Sequence, residues 1–126
     1  MVELKNLPFG KTFADHMFTA DYRDGEWKNL RIVPYGYMPI SPASPAIHYG
    51  QAVFEGLKAY RGEGGEALVF RPRDNWNRLN ISAERMALVS VPEEIFMGGI
   101  ERLIDLDRAW IPGTAQSSLY IRPYLF

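Results

Sequence analysis

The stretch FEGLKAYRGEGGEALVFR, residues 54–71, contains two apolar runs on either side of a glycine-rich turn. We expect strands at Phe54–Tyr60 and Ala67–Arg71, joined through residues 61–66. The two adjacent glycines in the turn supply the positive φ that a tight connection requires. Strands joined by a tight turn pair antiparallel.

A second hairpin is predicted on the N-terminal side of this segment. The alternating runs His16–Tyr22 and Trp27–Val33 flank Asp24-Gly25, and Asp-Gly between two such runs is a strong hairpin signal. Residues 34–45 contain four prolines, so we expect a loop there.

A first helix is expected after the central hairpin. Trp76, Leu79, Ala83 and Met86 recur at spacings of three and four residues, which places them on one helical face. Asp74 is a candidate N-cap for this helix.

A second helix is expected after Ser90-Val91-Pro92-Glu93, which has the form of a capping box. We expect Pro112-Gly113 to end this helix, and residue spacing predicts its apolar stripe. The stripe comprises Phe96, Ile100, Leu103, Leu106 and Trp110. Gly98 and Gly99 fall inside this helix, either to admit a close neighbour or as a tolerated weakness of about 1 kcal/mol each.

The C-terminal segment, residues 118–126, alternates as a strand does. Leu119, Ile121 and Leu125 share one face of it, and Tyr120, Arg122 and Tyr124 share the other. The predicted fold class is therefore α+β, an antiparallel sheet with two helices. Because this apolar strand would need a cover, we expect the sequence to be a piece of a larger protein.

Composition narrows the possible functions. The chain has 126 residues, of which 47% are hydrophobic, enough for one domain with a core. A net charge of -1 argues against nucleic acid as a partner. The absence of cysteine excludes thiolate chemistry, and the two histidines have no partner at ligand spacing, so no metal site is expected.

A cytoplasmic location without membrane contact is expected. Residues 1–8 lack the apolar segment of a secretory signal. The longest uncharged stretch, residues 32–54, contains four prolines and two glycines, which a bilayer-spanning helix could not accommodate.

Two arginines are the candidate functional groups. Arg78 lies in the first predicted helix, and Arg122 lies on an otherwise apolar and aromatic strand. A guanidinium in such a place meets a carboxylate or a phosphate. Pattern alone favours an ion pair within the chain.

The segment HYGQAVFEGLKAYR, residues 48–61, resembles the opening motif of branched-chain amino acid aminotransferases, the L-specific members of the fold-type-IV pyridoxal-phosphate enzymes. Further blocks similar to this family follow in its order. They are Phe70-Arg71-Pro72, Asn77-Arg78-Leu79, Ser82-Ala83, Trp110-Ile111-Pro112 and the run from Ser118 to Pro123. Upstream, Phe9-Gly10 and Asp15-His16-Met17 resemble the start of the subgroup that includes the animal enzymes.

The resemblance implies roles for particular residues. Arg78 would bind the phosphate of pyridoxal 5'-phosphate, which reverses the preference for an ion pair. Tyr120 and Arg122 match a Tyr-x-Arg element, in which the arginine takes the side-chain carboxylate of glutamate. Tyr49 and Phe54 match the aromatic walls around a branched aliphatic side chain, and Phe9 is a further candidate wall residue or simply core.

The resemblance also implies that residues 1–126 are the N-terminal small domain of a homodimeric enzyme. That enzyme would exchange the amino group of L-leucine, L-isoleucine or L-valine with 2-oxoglutarate. Its chemistry needs a lysine bonded to the cofactor, and none of Lys5, Lys11, Lys28 and Lys58 occupies that position in the family motif. The lysine is expected in a C-terminal domain absent here, so we predict no catalytic residue in this chain and no activity for the chain alone.

Two alternatives remain open. The first is another fold-type-IV enzyme, a D-amino acid aminotransferase or an aminodeoxychorismate lyase. The second is a stand-alone, non-catalytic binding module.

Overall fold

The computed structural model describes Leu4 and residues 7–126. The elements in chain order are β1 (His16–Arg23), β2 (Glu26–Pro34), α1 (Pro45–Tyr49), β3 (Val53–Phe54), β4 (Leu57–Arg61), β5 (Ala67–Val69), α2 (Pro72–Arg85), α3 (Glu93–Leu106), a 3-10 turn (Arg108–Trp110), β6 (Leu119–Ile121) and β7 (Tyr124–Leu125). Every strand pair among these described residues is antiparallel, so the predicted α+β class is confirmed.

The first hairpin, β1 and β2, forms as predicted. Its turn residues Asp24 and Gly25 have φ values of 54° and 83°, the left-handed conformation that favours Asp-Gly in a two-residue hairpin loop. The prolines after β2 keep the chain irregular up to residue 44. The short helix α1 then forms, which the sequence reading missed.

The central sheet has the strand order β5-β4-β6, and β3 pairs with β7. The predicted strand 54–60 is thus split at residues 55–56, and the predicted C-terminal strand is split at residues 122–123. The two breaks face each other: the Glu55 N–H donates to the Pro123 carbonyl at 2.8 Å. Pairing keeps one register across the gap, with Leu57 opposite Ile121 and Phe54 opposite Tyr124.

Helix α2 buries the predicted face on the sheet but begins differently from the prediction. Leu79 and Ala83 are fully buried, with Trp76 and Met86 packed beside them. The N-cap is Arg71, in left-handed conformation with φ 48°, and no side chain caps the helix. The prediction of Asp74 as N-cap is wrong, because Pro72 already starts the helix and Asp74, in the first turn, pairs with Arg71.

Helix α3 corrects two further predictions. No capping box forms, because the helix starts at Glu93 after an extended Pro92, and Asn80 brackets the backbone of Val91 instead. The buried stripe comprises Ile95, Phe96, Gly99, Ile100 and Ile104. Leu106 is 54% exposed, and Trp110 lies in the separate 3-10 turn, so the predicted stripe was set too far along the chain.

The two helical glycines differ in their surroundings. A Cβ at Gly99 would lie 2.7 Å from the ring of Phe18 in β1, whereas a Cβ at Gly98 would meet open space. Gly99 therefore admits a close neighbour, and Gly98 is a tolerated weakness. In the described part of the chain, no helix has the length and apolar character needed to cross a bilayer.

Candidate functional site

The split strand at residues 53–57 organises the candidate site. Val53, Glu55 and Leu57 point inward and are buried, whereas Phe54 points outward. Glu55 is thus a carboxylate at a core-facing position between two aliphatic side chains. A strand places alternate residues on opposite faces, so neighbouring Phe54 and Glu55 serve different surroundings.

Glu55 is held by four hydrogen bonds. Arg78 donates from Nε to Oε1 at 2.5 Å and from Nη2 to Oε2 at 2.8 Å. Asn75 Nδ2 and the Gly56 N–H also donate to Oε2, at 2.8 and 3.3 Å. The side chain is 3% exposed. Its pKa is lowered, chiefly by the hydrogen bond from Arg78, even though burial acts in the opposite direction.

Arg78 makes the ion pair that the sequence pattern alone favoured. Its side chain projects from the second turn of α2, and the hydrogen bond to Glu55 raises its pKa further. The pair uses the Nε and Nη2 edge of the guanidinium only. The side chain stays 67% exposed, and no described residue accepts a hydrogen bond from Nη1.

An open cavity of about 190 Å³ lies beside Arg78. Phe70, Arg71, Asp74, Asn75 and Arg78 line it. Arg71 pairs with Asp74 through Nη2, and Arg78 pairs with Glu55 through Nε and Nη2. Both guanidiniums therefore keep N–H donors for a ligand in this cavity. An exposed, fixed guanidinium edge is the donor set that a phosphate prefers.

A second group of side chains surrounds Arg122 on the outward face. Its guanidinium carbon lies 4.3 Å from the centroid of the Phe54 ring and 5.1 Å from that of the Tyr120 ring. Nε and Nη2 donate to the Tyr120 hydroxyl at 3.1 and 2.7 Å. Phe9 packs edge-on against Tyr120, with centroids 5.0 Å apart. We call Phe9, Phe54, Tyr120 and Arg122 the aromatic cluster.

Gly56 makes room for the aromatic cluster. A Cβ at this position would overlap the Tyr120 hydroxyl and lie 3.0 Å from the ring carbon Cζ. In the described part of the chain, no carboxylate pairs with Arg122, unlike Arg78. Arg122 is therefore a cation with one neutral partner and two aromatic faces, and its charge is available to an anion.

Tyr49 lies elsewhere. It ends α1, is 86% exposed, and its ring lies 6.1 Å from that of His48. The structure thus groups every proposed wall residue except Tyr49. The role of each of these residues stays a prediction.

Sequence reasoning missed Glu55 as a site residue. The signal was available, because an acid stands at an inward position of an alternating strand.

The described lysines lie at the surface or in surface ion pairs. Lys58 is exposed, and Lys28 Nζ lies 3.6 Å from Asp24 Oδ2. Lys5 lies outside the described residues.

The chain is similar to branched-chain aminotransferases in sequence. Over 121 residues it is 50% identical to a probable branched-chain-amino-acid aminotransferase of Staphylococcus aureus (strain N315). The match covers 95% of this chain and 34% of the relative. Identity to branched-chain-amino-acid transaminase 1 of Bacillus subtilis (strain 168) is 46%, with the same coverage. The chain therefore spans about a third of the length of the curated relatives it matches. No family model matches the sequence.

A solved structure supports the fold. The branched-chain amino acid aminotransferase from Thermobaculum terrenum, crystallised in PLP form, matches with a TM-score of 0.57 and 22% identity. The match covers 75% of this chain and 29% of that one.

Proposed function

We propose that this chain, which is homologous over 95% of its length to branched-chain-amino-acid aminotransferases, is the N-terminal small domain of such an enzyme. The whole enzyme would transfer the amino group of L-leucine, L-isoleucine or L-valine to 2-oxoglutarate. The observation that carries this proposal is Arg122, an arginine with no carboxylate partner among the described residues, stacked on Phe54 and bonded to Tyr120.

The aromatic cluster suits two kinds of substrate side chain. Aromatic rings bury the branched aliphatic group of leucine, isoleucine or valine. Glutamate brings a carboxylate into the same space, and an unpaired carboxylate there would lose its hydration without compensation. Arg122 provides the compensating charge, and the Tyr120 hydroxyl fixes where that charge lies.

Arg78 is the proposed phosphate ligand for pyridoxal 5'-phosphate. Its free guanidinium edge and the adjacent cavity fit a phosphate oxyanion. The bound cofactor supplies the electron sink for amino transfer. The part played by this chain is to bind: Arg78 holds the phosphate, and Arg122 with Tyr120 orients the substrate carboxylate.

This chemistry needs the cofactor-bonded lysine and an acid that keeps the pyridine nitrogen of the cofactor protonated. Both are assigned to a C-terminal domain outside residues 1–126. Self-association of the whole enzyme as a homodimer, and a cytoplasmic location, are part of the proposal. The absence of cysteine agrees with a reducing compartment.

An activity assay on the full-length protein containing this chain tests the proposal. With pyridoxal 5'-phosphate and 2-oxoglutarate, we expect glutamate to form with L-leucine, L-isoleucine and L-valine but not with D-alanine. Glutamate formed with D-alanine would assign the protein to the D-amino acid aminotransferases. Release of pyruvate from aminodeoxychorismate, supplied in a parallel assay without 2-oxoglutarate, would assign it to the aminodeoxychorismate lyases.

A further inference from the structure

Arg78 donates two parallel hydrogen bonds to Glu55, and we call this bidentate contact the fork. The negative charge of Glu55 could either hinder or help the binding of a phosphate by Arg78. A carboxylate beside a phosphate-binding arginine carries the same sign as the ligand. It could compete with the phosphate for the guanidinium, or it could hold the guanidinium in place for it. These two roles predict opposite effects when the carboxylate is removed.

The burial of Glu55 favours the second role. Both carboxylate oxygens accept hydrogen bonds from the protein, from Arg78, Asn75 and the Gly56 N–H. With 3% of its side chain exposed, Glu55 lies behind the guanidinium and away from solvent. An incoming anion would meet the free edge of Arg78 before it met the carboxylate.

The exposure of Arg78 shows why such an anchor matters. A side chain that is 67% exposed, as that of Arg78 is, loses rotational freedom about several bonds when it is fixed in one orientation. Two parallel hydrogen bonds to Glu55 fix that orientation before any ligand binds. Preorganised donors bind more tightly, because the ordering cost is already met.

Resting on the proposed function, we infer that Glu55 is a positioning residue, whose bidentate contact aims the free edge of Arg78 at the cofactor phosphate. As a side chain that is 3% exposed, it would act through Arg78 and not by touching the substrate or the cofactor. Asn75 supports it by bonding both Oε2 of Glu55 and the carbonyl of Gly56, at 2.8 and 3.3 Å.

The test measures binding to the full-length protein freed of cofactor, without any turnover assay. Dissociation constants are measured for pyridoxal 5'-phosphate and for pyridoxal, which lacks the phosphate. The ratio of the two constants isolates the contribution of the phosphate. The variants are Glu55→Gln, Glu55→Asp and Arg78→Ala, and Glu63→Gln, on the exposed hairpin turn, is the matched control for loss of one negative charge.

For Glu55→Gln we expect affinity for pyridoxal 5'-phosphate to fall roughly tenfold, with affinity for pyridoxal changed less than about twofold. The glutamine amide cannot accept a hydrogen bond through its nitrogen, so one arm of the fork is lost. Glu55→Asp keeps the charge and should recover part of the phosphate preference. Glu63→Gln should match the unaltered protein.

Tighter binding of pyridoxal 5'-phosphate by Glu55→Gln would establish competition and overturn the positioning role, as would an unchanged ratio. If Glu55→Gln does not fold, Asn75→Ala decides, because it removes one of the hydrogen bonds that hold Glu55 and leaves the Glu55 charge in place: a phosphate preference equal to that of the unaltered protein overturns the inference. If the unaltered protein itself showed no preference for the phosphate, the proposed function would fail. If Arg78→Ala abolished the preference and neither Glu55 variant reduced it, only the role of Glu55 would fail.

Discussion

At the scale of single residues, Arg122 differs from Arg78 in what surrounds it. Arg122 lies across the ring of Phe54 and donates twice to the Tyr120 hydroxyl, with no described carboxylate paired to it. Arg78 has a carboxylate on one edge and open space on the other. The surroundings of Arg122 suit a substrate that binds and dissociates in each turnover. The surroundings of Arg78 suit an anion that stays bound in one position.

Arg122→Ala is expected to harm glutamate more than leucine. The substitution leaves the glutamate carboxylate without its cation, so kcat/KM for glutamate should fall about 10- to 100-fold. The value for leucine should change less than about threefold, because the aromatic walls remain. Steady-state kinetics on the full-length protein measure both, with Arg102→Ala on the exposed face of α3 as control. Equal losses for the two substrates would remove the carboxylate-binding role.

Sequence alternation could predict that Tyr120 and Arg122 share a face, because the period of a strand is fixed by its backbone. It could not predict the partner of Arg78. That partner lies 23 residues away, on a strand whose pairing breaks at the same point. Only the packing of α2 on the sheet brings Asn75 and Arg78 over the inward position of Glu55.

At the scale of elements, the contact between α3 and β1 depends on a missing side chain. Phe18 of β1 packs over Gly99, where a Cβ would lie 2.7 Å from the ring. Gly98, one residue earlier in the same helix, faces open space. The two glycines are thus a matched pair for separating packing from helix propensity.

Gly99→Ala should destabilise the protein by about 1–3 kcal/mol, because Phe18 or the helix must shift. Gly98→Ala should stabilise it by up to about 1 kcal/mol through better helix propensity. Urea denaturation of both variants in the same protein background measures the two free energies of unfolding. A stabilising Gly99→Ala would contradict the close packing of α3 on β1.

The helix starts show where local signals are weakest. Asp74 and Ser90 both have the chemistry of an N-cap, yet neither caps a helix. At α2 the left-handed Arg71 and Pro72 set the start, and at α3 the side chain of Asn80 holds Val91 in place. A tertiary contact therefore overrides capping propensity at α3, and the local backbone at Arg71-Pro72 does so at α2. The apolar face of α2, in contrast, agrees with the prediction.

At the scale of the whole molecule, much of the aromatic material lies at the surface. Tyr37 is fully exposed, and Phe9, Phe54 and Phe70 are each more than half exposed. Exposed aromatic side chains are the kind of surface that an interface with more protein would bury. The proposed C-terminal domain and second subunit would cover part of it.

The 126-residue chain produced alone should therefore self-associate and lack activity. Light scattering after size exclusion should give a mass that rises with concentration, because exposed aromatic side chains associate. Supplied with pyridoxal 5'-phosphate, L-leucine and 2-oxoglutarate, the chain should form no glutamate, because it lacks the proposed lysine. Turnover by the isolated chain would place the catalytic machinery within residues 1–126.

The constant register across the gap between the paired strands limits how this region can change. Inserting one residue next to Gly56 while the strand pairing stays regular would invert the side chains on one side of the insertion, exposing Glu55 to water or turning Phe54 into the core. Only a β-bulge, like the irregularity between Thr19 and Asp21, could absorb the extra residue. Two inserted residues would keep the inside and outside of the sheet. Changing the chain length at this point by two residues is therefore expected to disturb the pocket less than changing it by one.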